Sequence, residues 1–269
     1  MTAARMAMGV ARVTLAALFV AGCGGTDSGG GGAVAGEPVD AVAALVRGGD
    51  YPALVIEVDA VPGLALQPGV LQDLARELDD VLDKPGGIDV AIDGALEPVG
   101  SDHAWTEAEL RELGDESYDL SVEQGTVKVH VMLIDGHSES DEVENRVVGL
   151  AWDHAHVALF MESIQVVCTE PRFAQAMHEE LLIAGQYSIL LHELGHLSGL
   201  VDLGLPMVED HEDADYDGHC DNPDCVMFHS FERQRALELL HERFLAGDMA
   251  RSSLDDACLA DVAALRDAP

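Results

Sequence analysis

His192-Glu193-Leu194-Gly195-His196-Leu197-Ser198-Gly199-Leu200-Val201-Asp202, followed downstream by Cys225-Val226-Met227, is the stretch whose reading decides the fold. Its first five residues form an HExxH pattern inside a run that reads as one helix from about Phe173 to Ser198, with Pro171 near its start and Gly199 at its end. At about 100° per residue, Tyr187, Leu190, Leu194 and Leu197 fall on one apolar stripe. His192 and His196 fall together on the opposite side.

Two imidazoles one helical turn apart point the same way and can hold a single Zn²⁺ through nitrogen, leaving positions for a third ligand and a water. Glu193 lies beside them as a carboxylate able to take that water's proton and pass it to a leaving amine, which is the chemistry of peptide hydrolysis. The competing reading of a bare HExxH is a helix with two ordinary histidines and an exposed glutamate. Gly199 weighs against it. Three residues past His196, a residue without Cβ lets the helix stop and the chain turn back toward the metal.

HExxHxxGxx followed by a ligand and then a methionine-containing turn resembles the metzincin clan of zinc endopeptidases. The resemblance implies an α/β fold, with a twisted mixed sheet, a long zinc-binding active-site helix and a smaller C-terminal subdomain. It also implies that Met227 lies beneath the metal. For the third ligand it leaves alternatives. Asp202 stands where metzincins carry His or, in snapalysin-like members, Asp. His219-Cys220-Asp221-Asn222-Pro223-Asp224-Cys225-Val226-Met227 resembles the HCxxxxCxM segment of archaemetzincins, whose histidine is the third ligand, here delayed by a loop over 200–218. His211 lies in that loop as well. His219 is the favoured candidate, with Asp202 and His211 as alternatives. Archaemetzincins carry a further CxxC for a second zinc; this chain has no CxxC, so a second zinc is not expected.

The same loop holds Asp213, Asp215 and Asp217 before Gly218, alternate carboxylates that resemble the start of an EF-hand calcium loop. The twelfth position is Asp224 and not glutamate. A calcium site that stiffens the insertion and a solvated acidic loop therefore stand as equal expectations.

The chain's 269 residues are 48% hydrophobic, with 14 Lys plus Arg against 50 Asp plus Glu and a formal net charge of −36. That composition supports one sizeable domain or two small ones, argues against nucleic acid as a partner, and draws in cations or basic substrates; a monomer is expected. Residues 1–22 read as a signal peptide, with Arg5 and Arg12 before the apolar run 13–20. Val20-Ala21-Gly22-Cys23 resembles a bacterial lipobox, which implies export, lipidation of Cys23 and anchoring at the cell envelope, at the outer membrane in a Gram-negative cell. The glycine-rich residues 23–36 read as a tether and 37–269 as the metalloprotease domain. Cys168, Cys220, Cys225 and Cys258 then remain, an even number in an oxidising compartment. Cys220 with Cys225 and Cys168 with Cys258 is the expected pairing, with thiolate metal binding as its rival.

Helices are expected over 39–46, 69–82, 106–113, 231–245 and 254–265, and strands over 51–59, 88–92, 126–134, 147–152 and 156–161. The order of these elements resembles the upper subdomain of metzincins, which implies that Val157-Ala158-Leu159-Phe160 is the edge strand for an extended peptide substrate, an interior strand being the alternative. The rival function is a non-catalytic surface lipoprotein with structural zinc and a calcium-binding loop.

Overall fold

A computed structural model describes residues 38–143 and 145–268. The signal peptide, Cys23 and the tether lie outside the described residues. Helix α1 (Pro38–Val46) precedes β1 (Ala53–Ala60), α2 (Val70–Val81), β2 (Gly87–Ala95), the short β3 (Ala104–Trp105) and α3 (Glu107–Ser117). Then come β4 (Thr126–Ile134), the short β5 (His137–Ser138), β6 (Gly149–Trp152), β7 (His156–Phe160) and α4 (Met161–Cys168). Helices α5 (His178–Leu197), α6 (Arg235–Leu245) and α7 (Asp256–Arg266) complete the chain.

The fold is mixed α/β. Five strands run in the order β2-β1-β4-β7-β6, the first four mutually parallel and β6 antiparallel. Side chains alternate between faces. Ile56, Val58, Val129, Val131, Val157 and Leu159 face the larger core, with α2 and α5. Met132, Ile134, Ala158 and Phe160 join Trp105, Leu110 and Trp152 in a smaller core on the other side.

That second face also buries polar groups. Lys128 Nζ lies 2.7 Å from Glu57 Oε2, His130 Nε2 lies 3.1 Å from Asp59, and His130 Nδ1 lies 3.4 Å from His156 Nδ1. Thr106 caps α3 with a capping box: its hydroxyl accepts from Glu109 N, and Glu109's carboxylate accepts from Thr106 N.

Helix α5 is more central than the stripe predicts. Residues 181–195 are buried on nearly every side, with Ile183 the exception. A helix buried on nearly all sides belongs inside the domain rather than on its surface, and here it carries the buried polar groups Gln186, Ser188, His192 and Glu193 with it. It also starts later than expected, at His178 after a 3₁₀ turn over Gln175–Met177, and α4 intervenes before it.

The edge-strand expectation is overturned. β7 sits between β4 and β6, so residues 157–160 are interior, and β6 forms the edge. The cause is a tight turn: Asp153 and His154 take φ of 54° and 53°, and Ala155 N bonds Trp152 O at 3.2 Å. Positive φ at both central residues returns the chain as an antiparallel neighbour.

Candidate metal centre

The end of α5 is set by hydrogen bonds. Gly199 N donates to His196 O at 3.0 Å and Leu200 N to Gly195 O at 3.2 Å, with Gly199 at φ 77°. This is a Schellman closure, and a side chain at Gly199 would also meet Val42 and the backbone of Leu205. The chain leaves the helix, travels through the 200–218 loop and returns with His219 over the two helix histidines. Ring centroids lie 5.4 Å apart for His192–His219 and 4.9 Å for His196–His219.

Two of the three imidazoles are oriented by backbone carbonyls, while His196 Nδ1 is buried without a partner. His192 Nδ1 lies 2.7 Å from Val226 O, and His219 Nδ1 lies 3.0 Å from Asp217 O. A carbonyl accepts only from N–H, so both rings are held with Nε2 bare and directed inward. His192 Nε2 and His196 Nε2 lie 3.0 Å apart, and His219 Nε2 is buried with no hydrogen-bond partner. Ligand atoms of His192, His196, His219 and Glu232 all lie within 4.8 Å of one another. Tetrahedral zinc asks for nitrogens about 3.3 Å apart, so this donor set fits the ion.

Electrostatics point the same way. Burial first, then the charge of His219, pushes His192 down to about 3, and burial with the other two histidines holds His196 well below the usual range. Neutral imidazoles are the form that binds a cation. Burial and, secondly, Glu232 raise Glu193 well above the ordinary carboxylate range. Its Oε1 is buried without a hydrogen-bond partner and lies against Gly149 of β6, where a Cβ would overlap it. Met227 packs under the helix at Gly195: a Cβ there would overlap its sulfur.

The other candidates are elsewhere. Asp202 is exposed, with φ 62°, and belongs to no converging donor set among the described residues. His211 Nε2 is committed to Asp261 Oδ2 on α7 at 2.8 Å. The calcium expectation is not met: Asp213, Asp215 and Asp217 form no converging set among the described residues. Asp213 instead faces His229 at 3.6 Å and accepts from Asp215 N, while Asp217 supplies its backbone carbonyl to His219.

The disulfide expectation fails as well, since Cys168, Cys220, Cys225 and Cys258 are free thiols. Cys168 is a core side chain facing Gly185, its thiol pushed up to about 12 by burial. The remaining three converge with Asp255 in a second group whose ligand atoms lie within 4.8 Å of one another. Cys225 Sγ is 3.6 Å from Cys258 Sγ, and Asp255 Oδ2 lies 3.4 Å from Cys220 Sγ. Hydrogen bonds from Cys220 and Cys258 draw the Cys225 thiol toward thiolate.

Sequence reasoning missed two residues. Glu232 was absorbed into the expected start of α6. Asp255 caps α7 through Cys258 N, and Asp255-x-x-Cys258 has the spacing of a CxxC with one thiolate replaced by carboxylate. That spacing was the available signal.

Beside this centre runs a cavity of about 270 Å³, lined by Gly149–Trp152 of β6 and by Trp105, Glu232 and Arg233 among others. Just upstream of β6 the outer edge is occupied, with Val148 N bonding Glu232 O at 3.0 Å and Gln234 N bonding Arg146 O at 2.8 Å.

No family model matches the chain, and no curated protein matches it. Among solved structures, it is similar to an archaemetzincin from Methanopyrus kandleri at 16% identity, over 80% of this chain and 96% of that one, with a TM-score of 0.47. It is also similar to a zinc-dependent peptidase from Methanocorpusculum labreanum at 18% identity, over 77% and 99% of the two chains, with a TM-score of 0.46.

Proposed function

We propose that the chain is a zinc-dependent endopeptidase, exported and held at the cell envelope by a lipid on Cys23, acting as a monomer on peptide or protein substrates. The observation that carries this reading is the convergence of three inward Nε2 atoms beside a buried, unpartnered Glu193 carboxyl. A zinc ion held by His192, His196 and His219 would polarise a scissile carbonyl and lower the pKa of water to about 7.

The chain's own groups do the rest. Glu193, raised by burial, is suited to accept a proton on its carboxylate and to release it to a departing amine. Gly149 brings the strand backbone against that carboxyl. The open edge of β6 offers backbone N–H and C=O groups to an extended peptide, and the neighbouring cavity takes its side chains. Val226 O fixes His192, and Met227 supports the helix from below.

A second zinc, held by Cys220, Cys225, Cys258 and Asp255, belongs to this reading as a structural site. Three soft sulfurs and one carboxylate form a four-donor set that zinc accepts.

The test combines metal analysis with cleavage of an unfolded protein such as casein. The parent is expected to carry two zinc ions per chain. Glu193→Gln is expected to keep both and lose cleavage, His219→Ala to keep one and lose cleavage, and Cys225→Ser to lose the structural ion. Equal cleavage by Glu193→Gln and the parent would refute the enzyme reading. Palmitate labelling that persists in Cys23→Ser would refute the anchor.

A further inference from the structure

Glu232 offers a carboxylate oxygen within 4.8 Å of the ligand atoms of all three histidines, yet its place in the fold differs from that of Glu193. Glu193 is 1% exposed under Gly149, whereas the Glu232 side chain is 28% exposed and lines the cavity beside β6. We propose that Glu232 is a fourth protein donor to the ion held by His192, His196 and His219, and that an incoming peptide displaces it. The proposal rests on the zinc reading above and adds regulation of the same centre.

Three observations carry it. Glu232 Oε2 stands 3.8 Å from His219 Nε2, and that nitrogen has no hydrogen-bond partner. The two atoms are too far apart for a hydrogen bond and suitably spaced to share one cation, since about 3.3 Å separates neighbouring donors on zinc. The Glu232 backbone is anchored: its carbonyl accepts from Val148 N at 3.0 Å, immediately before β6 begins. A peptide laid along the open part of β6 therefore meets the Glu232 side chain at the point where the strand's outer edge becomes occupied. Finally, Glu232 Oε1 faces Arg233 Nε at 3.6 Å, so the carboxylate has a cationic partner to fall back on when it leaves the ion. Hydrolysis then begins only once substrate has taken the position Glu232 holds at rest.

The experiment compares the full chain with Glu232→Gln, which keeps size and shape, and with Glu232→Asp, which withdraws the carboxylate by one methylene. Zinc affinity is measured by competition with a chelating dye. The visible absorption of the cobalt-substituted protein is recorded with the His219→Ala spectrum subtracted, which removes the thiolate site's contribution. Both variants are expected to bind zinc at the histidine centre at least tenfold more weakly and to show a changed cobalt band. The parent's band is expected to move toward that of Glu232→Gln when a saturating non-cleaved peptide is added, and KM for a peptide substrate is expected to fall in Glu232→Gln. Unchanged zinc affinity with superimposable cobalt spectra would overturn the proposal, as would a kcat loss alone, which would place Glu232 on substrate. A parent that takes up zinc only at the cysteines would sink the histidine-centre reading itself, an outcome visible in the parent before any Glu232 variant is made.

Discussion

Gly149→Ala isolates the position of the Glu193 carboxyl from its chemistry. A methyl group at residue 149 would overlap Glu193 Oε1 and lie 3.0 Å from Glu193 Cδ and 2.8 Å from Ile189 Cγ2. Ordinary contacts begin near 3.4 Å, so the carboxyl must retreat by roughly an ångström. A misplacement of that size costs on the order of 10²-fold in rate, about 2.7 kcal/mol of transition-state stabilisation. Overpacking costs about 1–3 kcal/mol of stability, partly offset by the roughly 0.5–1 kcal/mol gained when glycine leaves a strand interior. The variant should therefore remain folded, keep its zinc, and lose most of kcat. Gly114→Ala is the matched control. Its methyl would lie 3.0 Å from Trp152 and 3.2 Å from His156, on the opposite face of the sheet from Glu193, and should lower the unfolding midpoint with any kinetic change falling on KM, because Trp152 lines the cavity, and not on kcat. Kinetics on a fluorogenic peptide, zinc content and thermal unfolding separate the two variants. Parental kcat in zinc-replete Gly149→Ala would refute the placement of Glu193 as the proton-transferring group.

His211→Ala should leave zinc at the histidine centre unchanged while lowering stability by roughly 1–3 kcal/mol in urea, because the buried Asp261 carboxylate loses the partner it meets at 2.8 Å and keeps only Val208 N; loss of that zinc would instead place His211 at the metal. His156 gives an acid dependence whose sign is fixed. Burial and then His130 push it down to about 4, so between pH 6.5 and 4 the unfolded chain binds a proton that the native chain refuses. The His156 contribution to stability should fall by about 3 kcal/mol as pH drops through that window; His156→Gln should make the slope shallower, with His192 and His196 supplying the remainder, and an identical slope in the variant would contradict the assignment.

Most of the fold was legible because its elements carry strong local signals. The apolar spacing of Val70, Leu74, Leu78 and Val81 gives α2, and Thr126–Ile134 alternates before entering the core. Helix α4 shows where local reading stops. Met161, Ile164, Val167 and Cys168 have helical spacing, but eight residues directly after a strand of apolar residues look like its continuation. Strand order was less accessible still. Whether 157–160 lies at the edge depends on two residues in left-handed conformation, Asp153 and His154, which carry no glycine to announce the turn.

The site divides along the same line. His192, Glu193 and His196 could be placed on one helical turn from spacing alone, whereas the choice among Asp202, His211 and His219 depended on where a loop of some twenty residues returns. The structure supplies the mechanical reason for that return. His219 is followed at once by Cys220, whose N–H bonds Met227 O at 2.9 Å, and Cys225 adjoins Val226, whose carbonyl holds His192. Cys220 and Cys225 meet Cys258 and Asp255 at the start of α7, so the nine residues 219–227 are gripped on one side by the thiol cluster and deliver an imidazole and a carbonyl on the other. A disulfide between Cys220 and Cys225 would tie this segment only to itself. Thiols shared with Cys258 tie it to α7, which also holds His211 through Asp261. The long insertion is thereby anchored to the domain at both ends of α7's first two turns, and a loop that would otherwise wander brings His219 to a fixed position over the helix.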